Sequence, residues 1–237
     1  MDIDNLHKVD LSTLEAGEEL KSSHDEEVFR ARLGMITSSN FGKLVVKTKD
    51  KKGYTLSGGE TAKKLIYRAV WERLSKEGII SNGMNRINFS SAPTNHGHDY
   101  EEEAIIKYMA ITGNQVNYKQ KFIEYDHYIG GTPDGYIGDD GIIEVKCPWD
   151  GGNHIQSIIT GEIYNTEYIY QIQGYLWMTG RKWCDFVTYD PDIIEALQIN
   201  VIHVERDEEI IQGIAEVMEM VKDKIREALN SEIFIKK

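Results

Sequence analysis

Midway along the chain, two short alternating segments flank a tight turn, and no other stretch restricts the topology as strongly. Thr132-Pro133-Asp134-Gly135 is followed, ten residues after the aspartate, by Glu144-Val145-Lys146. Residues 134–138 and 142–146 read as two antiparallel strands joined through Asp139-Asp140-Gly141. Side chains alternate between the two faces of a strand, so Glu144 and Lys146 must project from one side while Val145 points into the opposite layer. The turn then returns Asp134 to the same neighbourhood.

Around this hairpin the periodicity is mixed. Residues 29–35 read as a short helix or turn. Ile36-Thr37-Ser38-Ser39-Asn40 offers N-cap chemistry for a helix running to about Val46, whose Ser-capped N-terminus would suit an anion. Residues 47–59 form a lysine- and glycine-rich loop, and residues 60–75 carry Leu65, Ile66, Ala69, Val70 and Leu74 at helical spacing. Residues 78–95 read as a long connection, and residues 100–112 as a helix stopped by Gly113. Val116, Tyr118, Phe122, Ile123 and Tyr125 suggest a strand, and another begins within 128–131.

After Pro148 the segment to Asn165 reads as an irregular glycine-rich loop. A helix over 166–178, closed by Gly180, precedes strands over 183–189 and 197–204. The last long element is an amphipathic helix over 207–229, with Ile210, Ile211, Ile214, Val217, Met218, Val221, Ile225 and Leu229 along one face; it suits packing on its own domain more than an intersubunit surface. The expected class is α/β (α+β), a mixed central β-sheet flanked by helices, in a single domain whose first 20 or so residues form a loosely held arm.

The net charge of −12 argues at first sight against a polyanionic partner. Charge is nevertheless clustered: Lys43, Lys47, Lys49, Lys51 and Lys52 fall within ten residues, followed by Lys63, Lys64 and Arg68. Either a basic groove on an acidic body or a solvated loop would produce that pattern. No run of about 18 apolar residues and no charged-then-apolar leader is present, which leads to the expectation of a soluble, cytoplasmic protein without a membrane span or secretory signal. The two cysteines, Cys147 and Cys184, suit a reducing compartment and exclude a four-cysteine zinc site or iron–sulfur cluster within one chain.

Two carboxylates converging at a strand pair, with the Val145 carbonyl beside them, make the all-oxygen environment that Mg²⁺ or Mn²⁺ prefers. Hydrolysis of a phosphodiester needs an activated water, neutralised phosphate charge and a stabilised leaving oxygen, which two such ions supply together. Lys146 is placed to hold or help deprotonate the attacking water. Taken alone, Asp…Glu-x-Lys in a chain with 39 acidic residues also fits an exposed strand ion pair.

The surroundings narrow the choice. Pro133-Asp134-Gly135 entering one strand, Glu144-Val145-Lys146-Cys147-Pro148 leaving the next, and Gln171-Ile172-Gln173 on a later helix resemble the lambda exonuclease (YqaJ) family of viral recombination exonucleases, a branch of the PD-(D/E)xK nucleases. Arg32-Leu33-Gly34 with Ile36-Thr37-Ser38-Ser39, Gly97-His98-Asp99-Tyr100-Glu101, Tyr189-Asp190-Pro191 and Val204-Glu205-Arg206-Asp207 are similar to further motifs of that family, so ordered likeness runs from about Arg32 to Asp207. The resemblance implies a PD-(D/E)xK restriction-endonuclease-like core and two Mg²⁺ (or Mn²⁺) ions held by Asp134, Glu144, the Val145 carbonyl and Glu101. It implies Lys146 at the attacking water, Gln171 on the active-site helix, and Arg32 and Ser39 on the 5′ phosphate. On charge alone Glu102 equals Glu101, and Glu101, Glu102 and Glu103 would also suit the opening turn of a helix.

The activity so implied is 5′→3′ digestion of double-stranded DNA ends, releasing 5′ mononucleotides and leaving 3′ single-stranded tails for annealing recombination. The implied assembly is a homotrimeric ring with a single-strand annealing protein as partner, in a bacterial cell, with phage, prophage or host origin left open. The lysines at 43, 47, 49, 51 and 52 are similar to the family only in character, as a grip on the DNA backbone. A PD-(D/E)xK endonuclease, a repair nuclease or a non-catalytic DNA-end-binding protein would carry some of the same residues. His96 and His98 read as surface groups, and Cys147 and Pro148 as structural.

Overall fold

The computed structural model describes residues 28, 30–50, 52–75, 92–118 and 121–235. The expected N-terminal arm, Lys51 and residues 78–91 of the expected connection lie outside them.

The centre is a five-stranded mixed sheet in the order β10-β9-β8-β7-β4. Its strands are β4 (Val116–Asn117), β7 (Gly135–Ile137), β8 (Gly141–Lys146), β9 (Trp183–Tyr189) and β10 (Ile199–Glu205). The expected hairpin is β7–β8, antiparallel with Gly135 opposite Ile143 and Ile137 opposite Gly141. Strand β9 lies parallel to β8, Glu144 facing Phe186 and Lys146 facing Thr188, while β10 returns antiparallel. A parallel neighbour needs a crossover, and the chain between β8 and β9 supplies two helices, α4 (Gly151–Thr160) and α5 (Glu167–Thr179).

Alternation along β8 and β9 sorts the core. Ile143, Val145, Val187 and Tyr189 pack with Ala104, Ile105 and Tyr108 of α3 (Ala92–Thr112). Ile142, Cys184 and Phe186 pack with Ile172, Tyr175 and Leu176 of α5. The sheet is therefore covered on both faces, and the face of Glu144 and Lys146 is the α5 face.

A second core joins α2 (Glu60–Leu74), the hairpin β2–β3 (Val45–Lys47 and Tyr54–Leu56) and α6 (Glu208–Leu229), the long helix that precedes a final turn α7 (Glu232–Ile235). Ile214, Val217, Met218, Val221 and Ile225 are fully buried there, so the apolar face of α6 is spent on its own chain. Asp207 caps α6, accepting hydrogen bonds from the backbone N–H groups of Glu209 and Ile210.

Several expectations need correction. The helix expected over 38–46 is instead strand β1 (Ile36–Thr37), a 3₁₀ turn over Ser38–Asn40, one helical turn α1 (Phe41–Leu44), and then strand β2. Val45 and Val46 are β-branched and pair with Leu56 and Thr55, which ends the helix early. The single strand expected over 116–125 is two strands in different sheets, because β5 (Ile123–Glu124) joins β6 (Ile129–Gly131) and β1 in a separate three-stranded sheet. The helix expected from Tyr100 begins at Ala92, and residues 151–160, read as loop, are α4. Asp150 caps α4 through Gly152 N, and Gly161 closes it at φ 67°.

Candidate active site

A cleft of about 660 Å³ opens where the ends of β7 and β8 meet α5, β1 and the start of α4. Its lining brings together Arg32, Ser39, Glu101, Asp134, Glu144, Val145, Lys146 and Gln171, eight residues that come from five separate parts of the sequence. Such a volume lies within the roughly 300–1,000 Å³ of small-molecule clefts.

Each wall is held by specific contacts. Asp134 Oδ2 accepts a hydrogen bond from Val145 N at 2.7 Å, which locks the aspartate across the hairpin onto the strand that carries Glu144 and Lys146. Glu144 is 1% exposed, and its Oε1 accepts from both Lys146 Nζ and Gln171 Nε2, the latter at 2.5 Å. Gln171 is buried on the face of α5 that meets the sheet. Tyr175, one helical turn further, accepts from Gln171 Nε2 at 3.2 Å and donates to the Thr132 carbonyl at 2.8 Å, tying α5 to the segment that leads into Asp134. Lys146 Nζ also lies 5.0 Å above the ring of Tyr168.

The electrostatics are those of an acidic cluster taken out of water. Burial, then Asp134 and to a smaller extent Glu101, push the Glu144 carboxyl up to about 8 against the opposing pull of Lys146. Burial would push the Lys146 ammonium down, but Glu144 and Asp134 outweigh it and hold it above the usual lysine range. The second oxygen, Glu144 Oε2, is buried without any hydrogen-bond partner. An orphaned buried carboxylate oxygen is costly, and a hard cation is the partner such an oxygen fits. Among the described residues no three His, Cys, Asp or Glu side chains form a ready-made metal cage. The fit therefore rests on Asp134 and Glu144 with the Val145 carbonyl, and on Glu101 at the rim.

Glu101 lines the cleft, whereas Glu103 accepts a hydrogen bond from Tyr189 at 2.6 Å and Glu102 is exposed outside it. All three lie well inside α3, so the explanation of these acids as a helix N-terminus does not hold.

Arg32 and Ser39 form the opposite chemistry. Gly34, at φ 76°, donates its N–H to Glu72 Oε2 at 2.8 Å, which pins the Arg32-Leu33-Gly34 turn to α2. Arg32 is exposed at the lining of the cleft. The parallel pairing of Ile36 with Ile129 and Thr37 with Gly130 holds the following turn beside β6. Ser39 does not cap a helix: its hydroxyl is 3.0 Å from that of Thr37, and α1 is a single turn. Hydroxyls, rather than a helix dipole, face the cleft at this point.

The basic loop stands apart. Lys43, Lys47, Lys49 and Lys52 are exposed on and around the β2–β3 hairpin and do not line the cleft, and Lys47 lies over Tyr54 at 5.5 Å. Lys63 and Arg68 are engaged within α2 by Glu60 and Glu72. Gln173 is structural: it donates to the Glu205 carbonyl and accepts from Asp207 N, joining α5 to the start of α6. Cys147 is buried, its thiol pushed up to about 12 by burial and then by Glu101 and Asp134, as befits an inert packing residue. The side chains of His96 and His98 lie outside the described residues.

Tyr168, Tyr175 and Trp149 also line the cleft and were not singled out from sequence for roles there. The spacing of Tyr168, Gln171 and Tyr175, at i, i+3 and i+7, places them on one helix face and was the available signal.

The family model for the YqaJ-like viral recombinase domain matches residues 27–182. The structure of the alkaline exonuclease LHK-Exo from Laribacter hongkongensis is similar at 28% identity and TM-score 0.68, covering 85% of this chain and 94% of that one. LHK-Exo in complex with dAMP matches at 30% identity and TM-score 0.64, covering 86% and 97%. A phage-related exonuclease from Haemophilus somnus 129PT shares the fold at 20% identity and TM-score 0.61, covering 82% and 95%. No curated protein matches the chain.

Proposed function

The chain belongs to the family of YqaJ-like viral recombinase domains, with a PD-(D/E)xK restriction-endonuclease-like core, and from that premise we propose that it is a metal-dependent 5′→3′ exonuclease on double-stranded DNA. The observation that carries this reading is the buried Glu144, its Oε2 without a partner and its Oε1 shared by Lys146 and Gln171, in the same cleft as Arg32 and Ser39.

Asp134, Glu144 and the Val145 carbonyl, with Glu101 nearby, would hold two Mg²⁺ or Mn²⁺ ions. When bound, such ions neutralise phosphate charge and lower the cost of making a nucleophile from water. The side chains do the rest. Lys146, hydrogen-bonded to Glu144 Oε1, is placed to hold or help deprotonate the attacking water. Gln171, itself fixed by Tyr175, keeps the Glu144 carboxylate in one rotamer. The Arg32 guanidinium and the Ser39 hydroxyl bind the 5′ phosphate, so that the scissile bond one nucleotide inward lies at the acidic cluster.

The products are 5′ mononucleotides and 3′ single-stranded tails suited to annealing recombination. Likeness to the family extends the proposal to a homotrimeric ring, to a single-strand annealing protein as partner and to a phage or prophage setting in the bacterial cytoplasm. No described helix is long and apolar enough to cross a membrane. Light scattering in solution tests the ring: three chain masses are expected, and a monomer at working concentration contradicts it.

Linear duplexes labelled at either end, with and without a 5′ phosphate, together with a closed circle, test the activity. In Mg²⁺ we expect loss of label from the 5′ side, faster with the phosphate, and an intact circle. Nicking of the circle would favour an endonuclease, and no attack on any substrate would leave a DNA-end-binding protein.

A further inference from the structure

The hydrolytic reading leaves one part of the cleft unused. Beyond the charged groups, its lining includes Trp149, Tyr164 and Tyr168 with the amides Asn153 and Asn165. Tyr164 and Tyr168 are half-buried, packed on each other and on Phe186, and Tyr168 carries the Lys146 ammonium on its ring. Trp149 differs from both: it is 63% exposed, although an indole is among the side chains that gain most from burial.

Its backbone is not that of an adaptable loop. Cys147 is buried in the sheet core, Pro148 fixes φ, and Asp150 caps α4, so Trp149 is separated from the end of β8 by those two residues and directly precedes the helix cap. It lies three positions on from Lys146, a reach of at most about 11 Å. A solvent-exposed indole is thus held at a fixed short distance from the groups that would handle phosphate.

We propose that Trp149 is the stacking platform for the nucleobase of the nucleotide being released. Every base has a π-face, so a stacking contact gives grip without sequence preference, as a nuclease that must accept each successive nucleotide requires. The proposal rests on the nuclease reading of the same cleft, and the acidic and basic groups would take the phosphates while the indole takes the base.

The test compares duplexes whose 5′-terminal nucleotide is either intact or abasic, together with a mononucleotide titration. Wild type should process the intact end about tenfold faster in kcat/KM than the abasic end, the scale of one base–aromatic stack. Trp149→Ala should lose that discrimination by slowing only on the intact end, and Trp149→Phe should keep most of it; equal discrimination in wild type and Trp149→Ala overturns the proposal. Independently of cleavage, dAMP in Mg²⁺ should quench tryptophan fluorescence of the wild type and not that of Trp149→Phe, which retains the other three tryptophans. Equal quenching in both, or none in the wild type, overturns it as well. A wild type that leaves every duplex intact would sink the nuclease reading, while the dAMP titration would still decide the stacking.

Discussion

Glu144 carries the energetic cost of the site. Burial and the neighbouring Asp134 push its carboxyl up to about 8, against 4.5 for an ordinary glutamate. Between those values the folded state binds more protons than the unfolded state, so this group's contribution to stability falls as pH rises through the window. Cation binding needs the carboxylate, so it displaces that proton and strengthens across the same window. The rise in Tm on adding Mg²⁺ should therefore be larger at pH 8.5 than at pH 6; the same rise at both would contradict the assignment. Lys146→Ala should lower cleavage by at least about 100-fold while duplex affinity stays near wild type. Rapid digestion by that variant, measured on end-labelled duplex, would remove Lys146 from the mechanism. The pairing of Glu144 with Lys146 was legible because strand alternation is a rigid rule. The inward orientation of Gln171 was not, because helical periodicity fixes which residues share a face and not which face meets the sheet. Glu101 could be separated from Glu102 and Glu103 only once the position of α3 over the sheet was known.

At the scale of elements, the cleft depends on how closely α1 approaches α5. Gly42 permits it: a Cβ there would lie 2.5 Å from the Glu167 Cα and 2.9 Å from its carbonyl oxygen, both backbone atoms that cannot rotate away. Gly42→Ala should push the Ser39 wall off the Gln171 helix, costing about 1–3 kcal/mol in urea unfolding and reducing the preference for 5′-phosphorylated ends. A variant with unchanged stability and preference would show that the two walls are not coupled in this way. Long periodic elements such as α2 and α6 were readable, since an apolar stripe over four or more turns has few alternatives. Short elements were not. Strands β1 and β4 have two residues each, too few for a period. Helix α4 was masked by Asp150-Gly151-Gly152, which reads as a turn although the aspartate acts there as a helix cap.

For the whole molecule, the question is how a chain of net charge −12 handles a polyanion. Lys43 on α1 and Lys47, Lys49 and Lys52 on the β2–β3 hairpin lie outside the cleft, where they can meet duplex that has not yet entered it. Changing Lys43, Lys47, Lys49 and Lys52 to Gln should weaken duplex binding and flatten its salt dependence by roughly 0.9 in log–log slope for each phosphate that is no longer neutralised. An unchanged slope would place the grip elsewhere. Calorimetry measures the divalent cations that Asp134 and Glu144 would hold. Lys146→Ala protein, slow to cleave, would be titrated with Mg²⁺ at pH 8.5 in the presence of a 5′-phosphorylated duplex. Two ions per chain are expected, with binding abolished on further changing Asp134 and Glu144 to Ala; binding that survives those changes, or none at all in the parent protein, would rule out a metal-dependent nuclease at this cleft.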